Sequence, residues 1–316
     1  MFFKKKRFLP ATVGLEACTL CNLKCADCYM RKGNFCGVGA GYLKAEDFVS
    51  FLDKNPFVKN VELANNGEVF LNPYLLDIFK IAFERGVNIY CNTVNFNKVS
   101  DEILEAIVKY KIKLLTVAVD GASQETYSKY RVGGNFDKVM DNIKKLNEYK
   151  KKYDSVYPIL EWQYVVMKTD DSIEEIEKAK KIAKELGVVI FFKKTWEKDY
   201  KPSNPEEIQK ATGLDFSDDN NIYKGSERFL PCKDLWSFPY INYDGRLCAC
   251  CCNANDLFDI NVFEVGLEEA LYNPMVEKTR KMLMGGKKYE ESPCYKCELF
   301  LKMVKDNNFI KKDELK

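Results

Sequence analysis

The chain has 316 residues, 46% of them apolar, with 21 Phe and 18 Tyr. That composition supplies a sizeable core and excludes an intrinsically disordered chain. The formal net charge is only +2, with Lys and Glu interspersed, which excludes the electrostatic footprint of a nucleic-acid binder.

Lys4-Lys5-Lys6-Arg7 reads as a solvated start before the first strand. Phe8-Leu9 meets Pro10 at once, so no signal-peptide core is expected, and no stretch approaches the roughly 18 apolar residues of a membrane span. Thr12 to Leu15 forms a first strand that runs into a cysteine loop. Lys44 to Leu52 is a helix and Asn60 to Leu63 a second strand. Asn72 caps a helix with Pro73 in its first turn, ending at Arg85 before Gly86. Val87 to Asn92, Lys113 to Val119, Ile159 to Met167 and Val188 to Phe192 complete six strands. Helices fall at Ser100 to Lys109, Phe136 to Tyr149, and from a capping box of Ser172 with Glu175 to Gly187. Strands that alternate with helices predict a parallel α/β sheet, with the loops at the strands' C-terminal ends gathered on one rim.

Residues 197–228 change to Pro, Ser, Asp and Glu and read as a linker with one short helix, Glu206 to Ala211. Beyond it Asp244-Gly245 predicts a hairpin turn in a cysteine-rich segment. The chain holds 13 cysteines and no histidine. With no export signal, that density points to metal or redox work rather than disulfides, in an oxygen-sensitive cytoplasmic protein.

Cys21, Cys25 and Cys28 stand in the string CNLKCADC. Thiolates are the ligands iron–sulfur clusters select, and three of them leave one iron of a cubane open. Zinc is the alternative, since Cys18-x2-Cys21 and Cys25-x2-Cys28 have zinc spacing. The string resembles the signature of the radical S-adenosylmethionine (radical SAM) enzymes. The resemblance implies a partial (β/α)6 TIM-type barrel over residues 8–196. It also implies a 4Fe-4S cluster on those three cysteines, and S-adenosylmethionine cleaved reductively to a 5′-deoxyadenosyl radical.

By the same resemblance Asn66, Gly67 and Glu68 after the second strand receive the methionine ammonium group. Asn95 and Asp120 follow the third and fourth strands near the nucleoside, and Arg131 pairs with the methionine carboxylate. The position before the third cysteine, aromatic in the family, is Asp27 here, and Tyr29 is the substitute for packing on adenine. Ala118 replaces a family serine after the fourth strand, which removes one ribose hydrogen bond.

Cys232, Cys250, Cys294 and Cys297 form a second set, the complement of one closed cubane or of a structural zinc. Cys248, Cys251 and Cys252 compete with Cys250, which its Gly245-x4-Cys spacing favours. Cys18, Cys36 and Cys91 read as buried packing residues. The arrangement resembles the twitch module, the shorter relative of the SPASM extension, over 229–300, with a C-terminal tail at 301–316. It implies one auxiliary 4Fe-4S cluster as electron acceptor and a reductant partner such as flavodoxin or ferredoxin. It resembles the twitch dehydrogenases that oxidise an aminocyclitol alcohol, and so implies oxidation of a small sugar- or cyclitol-like alcohol. SPASM relatives offer the other reading, a peptide crosslink, thioether or epimer. Gln163, Lys193 and Trp196 are the rim residues expected to face substrate, Lys193 as a buried ammonium that titrates.

Overall fold

A computed structural model describes residues 7–28, 30, 36–167, 172–195, 200–216, 230–250 and 257–315. β1 (Thr12–Leu15) leads to the cysteine loop and then α1 (Ala45–Lys54). The chain continues through β2 (Asn60–Glu62), α2 (Leu75–Glu84), β3 (Asn88–Val94), α3 (Asp101–Lys109) and β4 (Leu114–Ala118). Two helices follow, α4 (Gln124–Tyr130) and α5 (Phe136–Lys152), before β5 (Ile159–Val166), α6 (Ile173–Leu186) and β6 (Val189–Lys194). β1 to β6 pair in parallel and in chain order, and among the described residues β6 does not close on β1. This is the expected open, partial barrel.

The strands alternate. Val61, Ile89, Cys91, Leu115, Val117, Leu160, Trp162 and Tyr164 are all buried and join the core with Phe48, Phe79, Ile107, Ile143 and Ile176 of the helices. The opposite face carries Asn60 and Glu62 of β2, Asn88, Tyr90 and Asn92 of β3, Thr116 of β4, and Glu161 and Gln163 of β5. One face is sealed by helices, and the other lines a polar lumen.

Local signals hold in most places. Ser100 caps α3 by accepting the Ile103 N–H. Ser172 accepts the Glu175 N–H, but the Glu175 carboxylate does not return to close the expected box. It reaches α4 instead, accepting from Ala122 N at 2.9 Å and Thr126 Oγ1 at 2.7 Å. α2 starts at Leu75, three residues after Asn72. Asn72 Oδ1 accepts Tyr74 N at 2.7 Å just ahead of the helix, while its amide donates to Ala17 O at 2.8 Å and Leu43 O at 2.9 Å and so also ties down the cysteine loop.

α7 (Pro205–Thr212) is the expected short helix, and Trp196 with much of the proposed linker lies outside the described residues. α8 (Asp234–Ser237) then leads to β7 (Tyr240–Ile241), β8 (Arg246–Cys248) and β9 (Leu257–Asn261). Asp244-Gly245 makes the predicted turn between β7 and β8, with Gly245 at φ +88°. α9 (Val262–Val265), α10 (Leu267–Leu271), α11 (Pro274–Leu283) and α12 (Glu298–Lys305) follow. β7 pairs in parallel with β1 through Gly14↔Tyr240 and Leu15↔Ile241. Among the described residues the C-terminal hairpin thus extends the barrel's own sheet to nine strands, ordered β6-β5-β4-β3-β2-β1-β7-β8-β9.

Candidate active site

The loop after β1 is held by backbone contacts on every side. Ala17 N donates to Leu63 O at 3.0 Å, Lys24 N to Val132 O at 2.9 Å and Ala26 N to Tyr130 O at 3.0 Å. Glu68 N donates to Leu20 O at 2.8 Å, which draws the β2 loop onto the cysteine loop. Gly67 makes that approach possible, because a Cβ there would lie 2.3 Å from Cys18 O and 2.6 Å from Leu20 O. Its glycine character thus serves loop-on-loop packing.

Cys21, Cys25 and Cys28 are close enough to influence one another's ionisation. Cys25 is buried, Cys28 half-buried and Cys21 exposed by area. Cys21 is still crowded enough that desolvation, with Glu68 and the other thiols nearby, pushes its thiol up to about 11. N–H donors are aimed at the sulfurs. Leu23 N lies 3.5 Å and Asn95 Nδ2 3.7 Å from Cys21 Sγ, and Arg131 Nη1 lies 3.6 Å from Cys25 Sγ. Donors around the sulfurs stabilise thiolates bound to metal, so the residues present fit an anionic cysteine-held cluster. Cys18 and Cys91 are fully buried as expected of packing residues, and Cys18 Sγ donates to Leu20 O at 3.4 Å. The side chains of Cys36 and Tyr29 lie outside the described residues.

Glu68 is buried, and its carboxylate accepts Asn95 N at 2.6 Å and Phe70 N at 3.4 Å. Burial outweighs those hydrogen bonds and pushes it up to about 7. Asn95 also donates to Asn22 Oδ1 at 3.1 Å, bridging β3 to the cysteine loop. Asn66 N donates to Glu16 Oε2 at 2.9 Å.

Asp120 and Arg131, expected at separate ends of S-adenosylmethionine, pair with each other. Arg131 Nε donates to Asp120 Oδ2 at 2.6 Å, and Asp120 Oδ1 accepts Val165 N at 2.7 Å. The short helix α4, not anticipated from the sequence, carries Arg131 back to Asp120. Val165, one pleat above Gln163, packs with Cys25, Leu23, Tyr130 and Met167. The lumen therefore opens directly beneath the cysteine loop. Gln163 is buried there, and its Oε1 accepts no hydrogen bond among the described residues. Lys193 is exposed rather than buried, because it sits at the open end of the last strand. Its ammonium reaches Glu62 electrostatically.

In the second set Cys232 lies close to Cys250 and Cys294 and to Asp234, and burial raises its thiol strongly. Cys297 N donates to Cys294 O at 3.2 Å, at the start of α12. Cys248 is fully buried beside Glu16 and Asp244. Cys251 and Cys252 lie outside the described residues. Among the described residues no three Cys, Asp or Glu side chains close to the spacing of a single bound ion.

Residues 15–176, just over half the chain, match the Radical SAM superfamily. The chain belongs to that superfamily. Membership implies a 4Fe-4S cluster and S-adenosylmethionine as its cofactors. The radical SAM chain is 28% identical over 184 residues to the AdoMet-dependent heme synthase of Methanosarcina barkeri, covering 58% of this chain and 49% of that protein. It thus spans about half the length of that curated relative. In fold it is similar to SuiB of Streptococcus suis bound to precursor peptide SuiA, at a TM-score of 0.63 and 15% identity, over 92% of this chain and 70% of SuiB. It is similar also to BtrN in complex with AdoMet and 2-DOIA, at a TM-score of 0.51 and 14% identity, over 93% and 94% of the two chains. No described helix is long and apolar enough to cross a membrane.

Proposed function

We propose that this radical SAM protein is an oxidoreductase that removes a hydrogen atom from a small polar alcohol of sugar or cyclitol type. The observation that carries the reading is the polar lumen beneath the cysteine loop, lined by Glu62, Asn92, Thr116, Glu161 and Gln163. An apolar substrate would leave Gln163 Oε1 and the second carboxylate oxygen of Glu161 without donors. Cys21, Cys25 and Cys28 would hold the cluster whose bound chemistry is reductive cleavage of S-adenosylmethionine to a 5′-deoxyadenosyl radical.

The chain's own residues do the positioning. Asn66, Gly67 and Glu68 shape the site for the methionine end, with Glu68 buried as an acceptor. Asn95, Asp120 and Arg131 hold the loop against β3, β4 and β5, with Arg131 directed at Cys25. Gln163 and Lys193 face the lumen and its mouth, as the candidates for contact with substrate. Cys232, Cys250, Cys294 and Cys297 would carry an auxiliary 4Fe-4S cluster that accepts the substrate's electron, and the closeness of Cys232 to Cys250 and Cys294 supports that. The barrel, 8–196, linker, 197–228, twitch-like unit, 229–300, and tail, 301–316, are the working division of the chain. A flavodoxin or ferredoxin in the cytoplasm is the proposed electron source.

A second reading is modification of a peptide, favoured by the fold likeness to SuiB bound to a precursor peptide. Anaerobic reconstitution with iron and sulfide tests the first reading. About eight irons per chain are expected, with 5′-deoxyadenosine formed on reduction with S-adenosylmethionine. Cys21→Ala should abolish cleavage, and Cys294→Ala should keep uncoupled cleavage but lose product. Full turnover by Cys294→Ala would remove the electron-acceptor role. Product formed only with a peptide would favour the second reading.

A further inference from the structure

The lumen is not merely polar; it holds acceptor oxygens with spare capacity. On β4 and β5 the Thr116 hydroxyl donates to Glu161 Oε2 at 2.9 Å and lies 3.4 Å from Asn92 Oδ1. That single proton cannot satisfy both carboxylate oxygens of Glu161, and an ionised carboxylate is acceptor-only. One pleat nearer the cysteine loop, Gln163 is 4% exposed with Oε1 lacking a donor among the described residues. Both point to the same face, since Leu160, Trp162 and Tyr164, which alternate with them, are buried under the helices. Across the opening stands Glu62, hydrogen-bonded to Asn92. Lys193, exposed at the mouth, acts on Glu62, whose carboxyl is pushed up by burial.

We propose that Glu161, with Gln163 Oε1 above it, forms a subsite for a ligand that brings an alkylammonium group. This rests on the reading of the lumen as the substrate chamber and names the substrate class. The ammonium supplies donors to the spare oxygens of Glu161 and Gln163. Successive same-face residues are spaced about 6.6 Å along a strand. A ligand anchored at Glu161 therefore extends past Gln163 toward Val165 and the cysteine loop, where its reacting carbon would lie. Both an amino sugar and a peptide lysine carry this group, and the probes separate them.

The test is equilibrium binding to the full reconstituted chain, without reductant, of glucosamine, glucose, glucuronate and Nα-acetyl-lysinamide. Glucosamine or the lysine probe should bind about tenfold tighter than glucose, the value of one charge-assisted contact, with glucuronate weakest. The tighter of the two assigns the source as sugar or peptide. Glu161→Gln, which keeps the Thr116 contact, should erase that tenfold preference and leave glucose within about twofold. Retained iron content shows that the variant is folded. Glucuronate binding as well as the amines, no binding by any probe, or an unchanged preference in Glu161→Gln overturns the proposal. The enzymatic reading is judged separately, by 5′-deoxyadenosine formation, which requires none of these probes.

Discussion

The Tyr240 hydroxyl donates to Glu16 Oε2 at 2.9 Å, joining residues 224 positions apart. The same carboxylate oxygen accepts Asn66 N, so one buried group ties the first strand, the β2 loop and the C-terminal hairpin together. The Tyr240 ring lies over Gly14, where a Cβ would meet it at 2.0 Å.

Glu16 gives a pH prediction. Burial, opposed by its hydrogen bonds, raises its carboxyl to about 7 from 4.5. The fold therefore prefers the protonated form, and this contribution to stability is present below about pH 4.5 and is lost as pH rises through 7. The slope is at most about 1.4 kcal/mol per pH unit. Glu16→Gln should flatten the fall in melting temperature between pH 5 and pH 8 and be the more stable protein at pH 8. An unchanged slope counts against this account.

Gly67→Ala should be costly. Its Cβ would press on backbone oxygens of residues 18 and 20 rather than on movable side-chain ends. Overpacking of this kind costs about 1–3 kcal/mol. The cysteine loop should shift, and reconstituted iron should fall by about half, the share of the first of two proposed clusters. Calorimetry and iron analysis read both effects.

Asp120 and Arg131 should behave as a unit. Asp120→Ala leaves a guanidinium whose side chain is only 12% exposed without its partner, a loss of about 3–5 kcal/mol. A double-mutant cycle with Arg131→Met should show the two losses to be far from additive. Arg131→Met should also remove a donor to Cys25 Sγ and lower the cluster's reduction potential, measured by redox titration.

Cys250→Ala and Cys248→Ala should separate. Cys232 lies with Cys250 and Cys294, whereas Cys248 sits fully buried beside Glu16. Cys250→Ala should lose about four irons per chain and Cys248→Ala none. Equal losses would reassign the ligand.

Much of the barrel was legible because it is local. Short apolar strands alternate with helices, Ser100 and Ser172 announce their helices, and Asp244-Gly245 announces its turn. The cysteine loop announced itself by spacing. What escaped depends on distant contacts. β7 is two residues long and gains its place by pairing with β1 and laying Tyr240 on Gly14. α4 is short and polar apart from Tyr127 and Tyr130, so it carries little apolar periodicity, yet it decides where Arg131 points. Lys193 read as a buried rim lysine, but β6 is an edge strand among the described residues, and Lys193 is exposed there.

The parallel seam between β1 and β7 has a practical consequence for anyone trimming this protein. A fragment ending at residue 216 would keep all six barrel strands and lose the hairpin that covers β1. Its first strand would then offer bare amides and carbonyls to other chains. Such a fragment should precipitate or self-associate, however complete its barrel looks on paper.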